Sequence, residues 1–169
     1  TTVERWSGRT WSLGSVTTPA GASGAGLLGV SCAARLTCLG VGNAFTPDGD
    51  NIPGDDGGTD QAIAAPGDGT AFSASTLAFP PSAYRGPSAA GNPITVLEAI
   101  SCATATSCAA VGRYGATNGA IGPLAASWNG ATWTQVALRR GPVQLSSVSC
   151  PALGWCMAVG DGIAERFIG

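Results

Sequence analysis

The chain has 169 residues, of which 44% are apolar and only 11% are charged, and its formal net charge is -2. It contains no lysine and no histidine, so its eight basic residues are all arginines, and they form no clustered basic face typical of a nucleic-acid binder. No apolar run approaches the roughly 18 residues that a membrane-spanning helix needs. Glycine, alanine, serine and threonine dominate, which favours short strands and tight turns in one domain.

The first predicted element is an aromatic hairpin at residues 3–12, with the sequence Val-Glu-Arg-Trp-Ser-Gly-Arg-Thr-Trp-Ser. It returns at residues 125–134, and a degraded copy at 64–73 has Phe72 in place of the second tryptophan. Asn129-Gly130 and Asp68-Gly69 mark the turns, since Asn-Gly and Asp-Gly favour hairpins whose two central residues take positive φ. The motif therefore predicts strand, turn, strand.

The second predicted element is a cysteine module that occurs three times. The cysteines occur in pairs with five residues between the members, and the apolar residues around them alternate with the period of a strand. A hairpin would place the members of each pair opposite each other, as a disulfide requires. We therefore predict disulfides Cys32–Cys38, Cys102–Cys108 and Cys150–Cys156, and an oxidising compartment outside the cell. Zinc is disfavoured because the spacing is long and histidine is absent.

An acidic insertion, residues 46–59, follows the first cysteine module. Its aspartates supply the oxygen ligands that calcium takes, although Ile52 breaks the EF-hand pattern and no glutamate closes the loop. The alternatives are a calcium site, the only cofactor that the sequence suggests, and a solvated surface loop. The candidate ligands are Asp48, Asp50, Asp55 and Asp56.

One cysteine hairpin and one aromatic hairpin together make four antiparallel strands, the content of one β-propeller blade. The whole chain, 1–169, then forms one all-β repeat domain. Its last residues, 164–169, align with residues 3–8, so we expect an incomplete propeller, processed or trimmed from a longer precursor and completed by another chain or by further repeats of that precursor. Its parts are a partial blade at 1–18, blades at 27–80 and 94–138, and a partial blade at 145–169.

The alternation of Trp-x-Gly-x-x-Trp with Ser-Cys-x5-Cys-x-Ala-Val-Gly resembles the repeats of secreted β-propeller-like proteins of actinobacteria. The hairpin from Trp128 to Trp133 is also similar to the Asp-box turn of sialidase-type propellers, although Asn129 or Ser7 stands near the usual aspartate. That turn is structural in the family. The resemblance therefore implies an extracellular propeller and no catalytic residue.

The tryptophans have two interpretations. Regular recurrence favours packing between blades for the hairpin aromatics, whereas exposed rings would suit stacking on sugars. Trp155 differs because it lies inside a cysteine turn where the other copies have Thr37 and Ser107. It is a candidate ligand contact, or else it folds onto its own hairpin.

Catalysis has few candidates in this sequence. The lack of histidine, lysine and an unpaired thiol removes most arrangements of a nucleophile and a base. What remains is a carboxylate pair of glycosidase type, drawn from Glu4, Glu98, Asp161 and Glu165. The recurrence of Glu4-Arg5 as Glu165-Arg166 favours a structural ion pair or an edge-strand charge instead.

The sequence therefore favours a secreted or cell-surface binding or scaffolding module without catalysis, whose ligand is carbohydrate or protein. One alternative is part of a sialidase-type glycoside hydrolase. The other is an assembly subunit that is completed by strand sharing with neighbouring chains.

Overall fold

The protein is all-β, and the computed structural model describes residues 2–47, 58–78, 94–115, 121–138 and 144–167. The first sheet contains β1 (Thr2–Trp6), β2 (Trp11–Thr17), β3 (Gly24–Ala34), β4 (Thr37–Pro47), β5 (Gly58–Gly67), β6 (Ala71–Ser73) and β7 (Ser75–Thr76). The second sheet contains β8 (Thr95–Thr104), β9 (Ser107–Gly115), β10 (Ile121–Trp128) and β11 (Trp133–Gln135). The third contains β12 (Ser147–Ala152), β13 (Trp155–Gly160) and β14 (Ile163–Phe167).

Each sheet is built on one cysteine hairpin, and we call the sheets blades 1, 2 and 3. Blade 2 has the predicted antiparallel order β11-β10-β9-β8. Blade 1 has the corresponding order β6-β5-β4-β3, with β7 also paired to β5, and blade 3 has β12-β13-β14. The fold is therefore an incomplete propeller of antiparallel blades, as the sequence predicted.

The N-terminal aromatic hairpin, β1–β2, is the exception to antiparallel order. Its strand β2 pairs in parallel with β6, so the hairpin extends blade 1 to a seven-stranded sheet. The pairing joins Ser15 to Ala71 and Val16 to Phe72. It places the first aromatic hairpin beside the degraded copy at residues 64–73. No local sequence pattern predicts this long-range contact.

A disulfide closes every cysteine hairpin: Cys32–Cys38, Cys102–Cys108 and Cys150–Cys156. The paired Cα atoms are 4.0, 3.9 and 4.1 Å apart, close to the spacing of a cross-strand pair that exchanges no backbone hydrogen bonds. The amide of the first cysteine then points away from its own hairpin. In blades 2 and 3 it donates a hydrogen bond to the neighbouring blade.

The two core clusters are the two contacts between consecutive blades. Leu39, Val41 and Ala62 of blade 1 pack against Ile100 and other residues of blade 2. Val111 and Ala125 of blade 2 pack against Leu145 and Ala158 of blade 3. Alanines recur on both sides, so the sheets approach closely and bury their apolar faces against each other.

Each blade thus has two faces, which we name by their position in the repeat. The leading face meets the preceding blade and carries Val30, Ile100 or Val148 in blades 1, 2 and 3. The trailing face meets the following blade and carries Val41, Val111 or Val159 at the equivalent positions of the second cysteine strand.

A glycine in the second cysteine strand permits a close approach to the first strand. A Cβ on Gly112 would overlap the carbonyl oxygen of Val96, and the equivalent Gly42 and Gly160 meet Gly26 and Gln144 in the same way. Any larger residue would push the two strands apart. The glycine of the Ala-Val-Gly motif is therefore required by packing.

The turns of the aromatic hairpins differ in one respect from the sequence expectation. Only the glycine has positive φ, at Gly8, Gly69 and Gly130, and it is the first of the two central residues. Asn129 precedes the centre of its turn, where its backbone N–H donates to Thr132 O over 3.3 Å. The expectation that the Asn-Gly pair forms the centre with two positive φ values was wrong, because the asparagine caps the turn with its side chain.

Candidate binding cleft

A cleft lies on the leading face of blade 1, between the inner strand β3 and the N-terminal hairpin strand β1. Its volume is about 650 Å³, within the range of pockets that bind small molecules or side chains of a partner. The side chains that give it its character are Arg5, Trp6, Leu28, Val30, Arg35 and Leu36.

The apolar wall of this cleft exists because no described blade covers the leading face of blade 1. Val30 is 59% exposed, whereas the equivalent Ile100 of blade 2 is 8% exposed beneath blade 1. Leu28 and Leu36 are exposed as well. A concentration of exposed aliphatic side chains along one strand and its turn is typical of a surface that binds another macromolecule.

Arg5 lines the cleft and carries an unpaired hydrogen-bond donor. Its Nε atom is buried and has no hydrogen-bond partner, and among the described residues its guanidinium forms no salt bridge. Its Cδ lies close to Gly69, at the turn of the degraded aromatic hairpin. A buried donor without an acceptor costs free energy, so an acceptor supplied by a bound partner would be stabilising.

Leu36 lies at the tip of the first cysteine turn with φ of +65°, a left-handed conformation that leucine disfavours. The equivalent residue of blade 3 is Gly154, whose φ is +68°. The same left-handed backbone conformation is therefore adopted by glycine in blade 3 and by a strained leucine in blade 1. Strain at an exposed residue of a cleft points to a role for its side chain outside the fold.

The three aromatic turns are capped by the side chain that precedes the glycine. Asp68 Oδ1 accepts hydrogen bonds from the N–H groups of Thr70 and Ala71, both over 2.8 Å. Asn129 Oδ1 does the same for Ala131 and Thr132, and Ser7 Oγ accepts from Thr10 N. The bonds from Ala71 and then Thr70 lower the pKa of the exposed Asp68 carboxyl because they stabilise its charged form.

The hairpin tryptophans stack in pairs but differ in burial. Trp6 and Trp11 have ring centroids 5.3 Å apart, and Trp128 and Trp133 5.6 Å. The second pair packs against the first core cluster, and Phe72 is buried. Trp6 and Trp11 are 51% and 63% exposed, so within the described residues they do not pack between two blades.

The remaining predicted site residues are Trp155 and the four aspartates of the acidic insertion. Trp155 is exposed at the start of β13 and does not line this cleft. The four aspartates, Asp48, Asp50, Asp55 and Asp56, lie outside the described residues. Within the described residues, no three acidic or cysteine side chains cluster as metal ligands.

The four candidate catalytic carboxylates differ in their hydrogen-bond and salt-bridge partners. Glu98 forms a salt bridge with Arg113, which also donates to Gln144 Oε1 over 2.9 Å, and Asp161 accepts from Gln144 N. Within the described part, neither Glu4-Arg5 nor Glu165-Arg166 forms an ion pair. The expected structural ion pair at these positions is therefore not formed.

Sequence reasoning missed Leu28, Val30 and Leu36 as cleft residues. Leu28 had a signal, because the equivalent residue of blade 2 is the ion-paired Glu98. Leu36 had one as well, because it stands where another copy has Gly154. Val30 had no such signal, because the other two copies also have an apolar residue at this position. Val30 is exposed only because no described blade covers it.

Comparison with known proteins supports the fold. No family model and no curated protein matches the sequence. Among solved structures, the chain is similar to "YCF48 bound to D1 peptide", with a TM-score of 0.51 and 14% identity over 88% of this chain. The match spans 38% of that β-propeller protein. No helix in the described ranges is long and apolar enough to cross a membrane. At this identity, the likeness establishes a propeller-like architecture.

Proposed function

We propose that the protein is a non-catalytic binding module whose cleft, between β1 and β3, binds an apolar polypeptide segment of another protein. The observation that carries this proposal is the exposed aliphatic wall of Leu28, Val30 and Leu36 beside the unpaired Arg5. Aliphatic side chains bury apolar area against a peptide. They offer no hydrogen bonds to the hydroxyls of a sugar, so protein is favoured over carbohydrate.

Two further observations support the same function. The similar propeller structure contains a bound peptide, although that protein shares only 14% identity with this chain. Glu98, one of the four candidate carboxylates, is held in an ion pair with Arg113, which disfavours its use in a sialidase-type hydrolase. Three disulfides favour an oxidising location, so the module acts outside the cell or at its surface.

The experiment is selection of short random peptides on the immobilised protein, followed by binding of the enriched peptides to variants. We expect apolar peptides that bind Val30→Arg at least tenfold more weakly than the wild type, because the arginine obstructs the apolar wall. Arg5→Lys should also weaken the peptides that supply an acceptor, since lysine keeps the charge but lacks the Nε–H.

Ile121→Arg is the matched control, because Ile121 is also an exposed β-branched residue but belongs to blade 2 and does not line the cleft. It should leave peptide binding unchanged. Peptides that bind Val30→Arg as tightly as the wild type would exclude the cleft as their site.

A further inference from the structure

The same hydrogen bond joins each blade to the next. The N–H of Cys102 in blade 2 donates to Ser31 Oγ of blade 1 over 3.0 Å. The N–H of Cys150 in blade 3 donates to Ser101 Oγ of blade 2 over 2.9 Å. The serine of every Ser-Cys motif is thus an acceptor on a trailing face, and the following cysteine amide is a donor on a leading face.

The apolar contact repeats in the same register. Ile100 and Val148 of the leading faces lie in or against the two core clusters, and Val41 and Val111 of the trailing faces are completely buried. The hydrogen-bonded residues are 71 positions apart in the first interface and 49 in the second, and the surrounding sequences differ, so one interface is built twice.

One half of that interface is left open at each end of the described arc. The trailing face of blade 3 presents Val159, which is 44% exposed where Val111 is 0% exposed, together with the exposed Ser149. The leading face of blade 1 presents Val30 and the amide of Cys32, for which no described serine takes the place of Ser31 or Ser101. The two open faces are therefore complementary halves of one contact.

We propose that the trailing face of blade 3 binds the leading face of blade 1 in a second copy of this chain. This goes beyond the proposed function, and because Val30 also lies in the binding cleft, a second copy and a peptide would compete for it. Ser149 Oγ of one copy accepts a hydrogen bond from the N–H of Cys32 in the other copy. Val159 of the first copy packs on Val30 of the second. Two such contacts close a two-fold ring of six blades, within the four to eight of known propellers.

The experiment is sedimentation velocity over a concentration series, which reports the mass of the assembly. We expect the wild type to pass from 16.6 kDa to twice that mass. Val159→Arg and Val30→Arg should each weaken self-association at least tenfold, since each places an unpaired charge in the contact. Ile121→Arg is the control, because Ile121 is an exposed β-branched residue of blade 2 and lies on neither open face.

A charge exchange tests the head-to-tail direction. Val30→Asp and Val159→Arg should each be monomeric alone and should restore a dimer when mixed, because the aspartate then meets the arginine while the second contact is wild type in both halves. A wild type that stays monomeric throughout, or a dimer that Val159→Arg leaves intact, overturns the proposal. Since Val159→Arg leaves the cleft untouched, peptide selection on that variant still decides the proposed function separately.

Discussion

Blade 2 and blade 1 present the same leading face to different surroundings. Ile100 of blade 2 is buried against blade 1, whereas Val30 of blade 1 is 59% exposed, although the two residues occupy equivalent positions of the repeat. The repeat therefore determines which residues form the leading face, and the neighbour determines whether that face is core or exposed surface.

The largest expected difference comes from placing a charge at these two equivalent positions. Ile100→Arg should destabilise the protein by about 4 kcal/mol or more, because an unpaired charge would be buried between blades. Val30→Arg should change stability by no more than about 0.5 kcal/mol, as is usual at exposed positions. Urea denaturation of both variants measures the contrast. Equal losses would show that the two faces are equally buried.

The inter-blade hydrogen bond sharpens the same comparison with a smaller change. Ser101→Ala should cost about 1–3 kcal/mol because it leaves the amide of Cys150 without its acceptor. Ser149→Ala, the matched variant on the open face, should leave the stability of the monomer within about 0.5 kcal/mol of the wild type. Thermal unfolding at low protein concentration compares the two. A comparable loss in both variants would mean that Ser149 already has a partner within the monomer.

Substitution of Leu36 should have opposite effects on the free energy of unfolding and on peptide affinity. Leu36→Gly should raise the free energy of unfolding by about 1 kcal/mol, because glycine adopts the φ of +65° without the leucine's steric cost. The same change should weaken peptide binding, because it removes an apolar side chain from the cleft. Urea denaturation and peptide titration of one variant test both. A loss of stability would show that the leucine side chain packs within the fold.

The smallest effect concerns the cap at Asp68. Its folded-state pKa lies below the ordinary 3.8, so the stabilisation it provides is present above that pH and is lost as the pH falls through the folded value. Asp68→Asn keeps an oxygen acceptor at every pH, as Asn129 does in its own turn. The melting temperature of the wild type should therefore fall relative to Asp68→Asn in the acid range below 3.8. A difference that does not vary with pH would exclude the cap.

Local spacing accounts for what could be predicted from the sequence. The disulfides, the blade content and the aromatic hairpins all follow from residues that are near each other in the chain. The parallel pairing of β2 with β6 joins Val16 to Phe72 and follows from no local signal. The exposure of Trp6, Trp11 and Val30 depends on whether a neighbouring blade is present, which identical repeats do not encode.

Hydrogen exchange at the three equivalent cysteine amides tests the repeated interface most directly. Cys102 and Cys150 should exchange slowly, because their N–H groups donate to Ser31 and Ser101 between packed blades. Cys32 should exchange much faster in dilute protein and become protected as the concentration rises and a second copy supplies Ser149. Equal protection of all three amides in dilute monomer, or fast exchange at Cys102 and Cys150, would contradict the account.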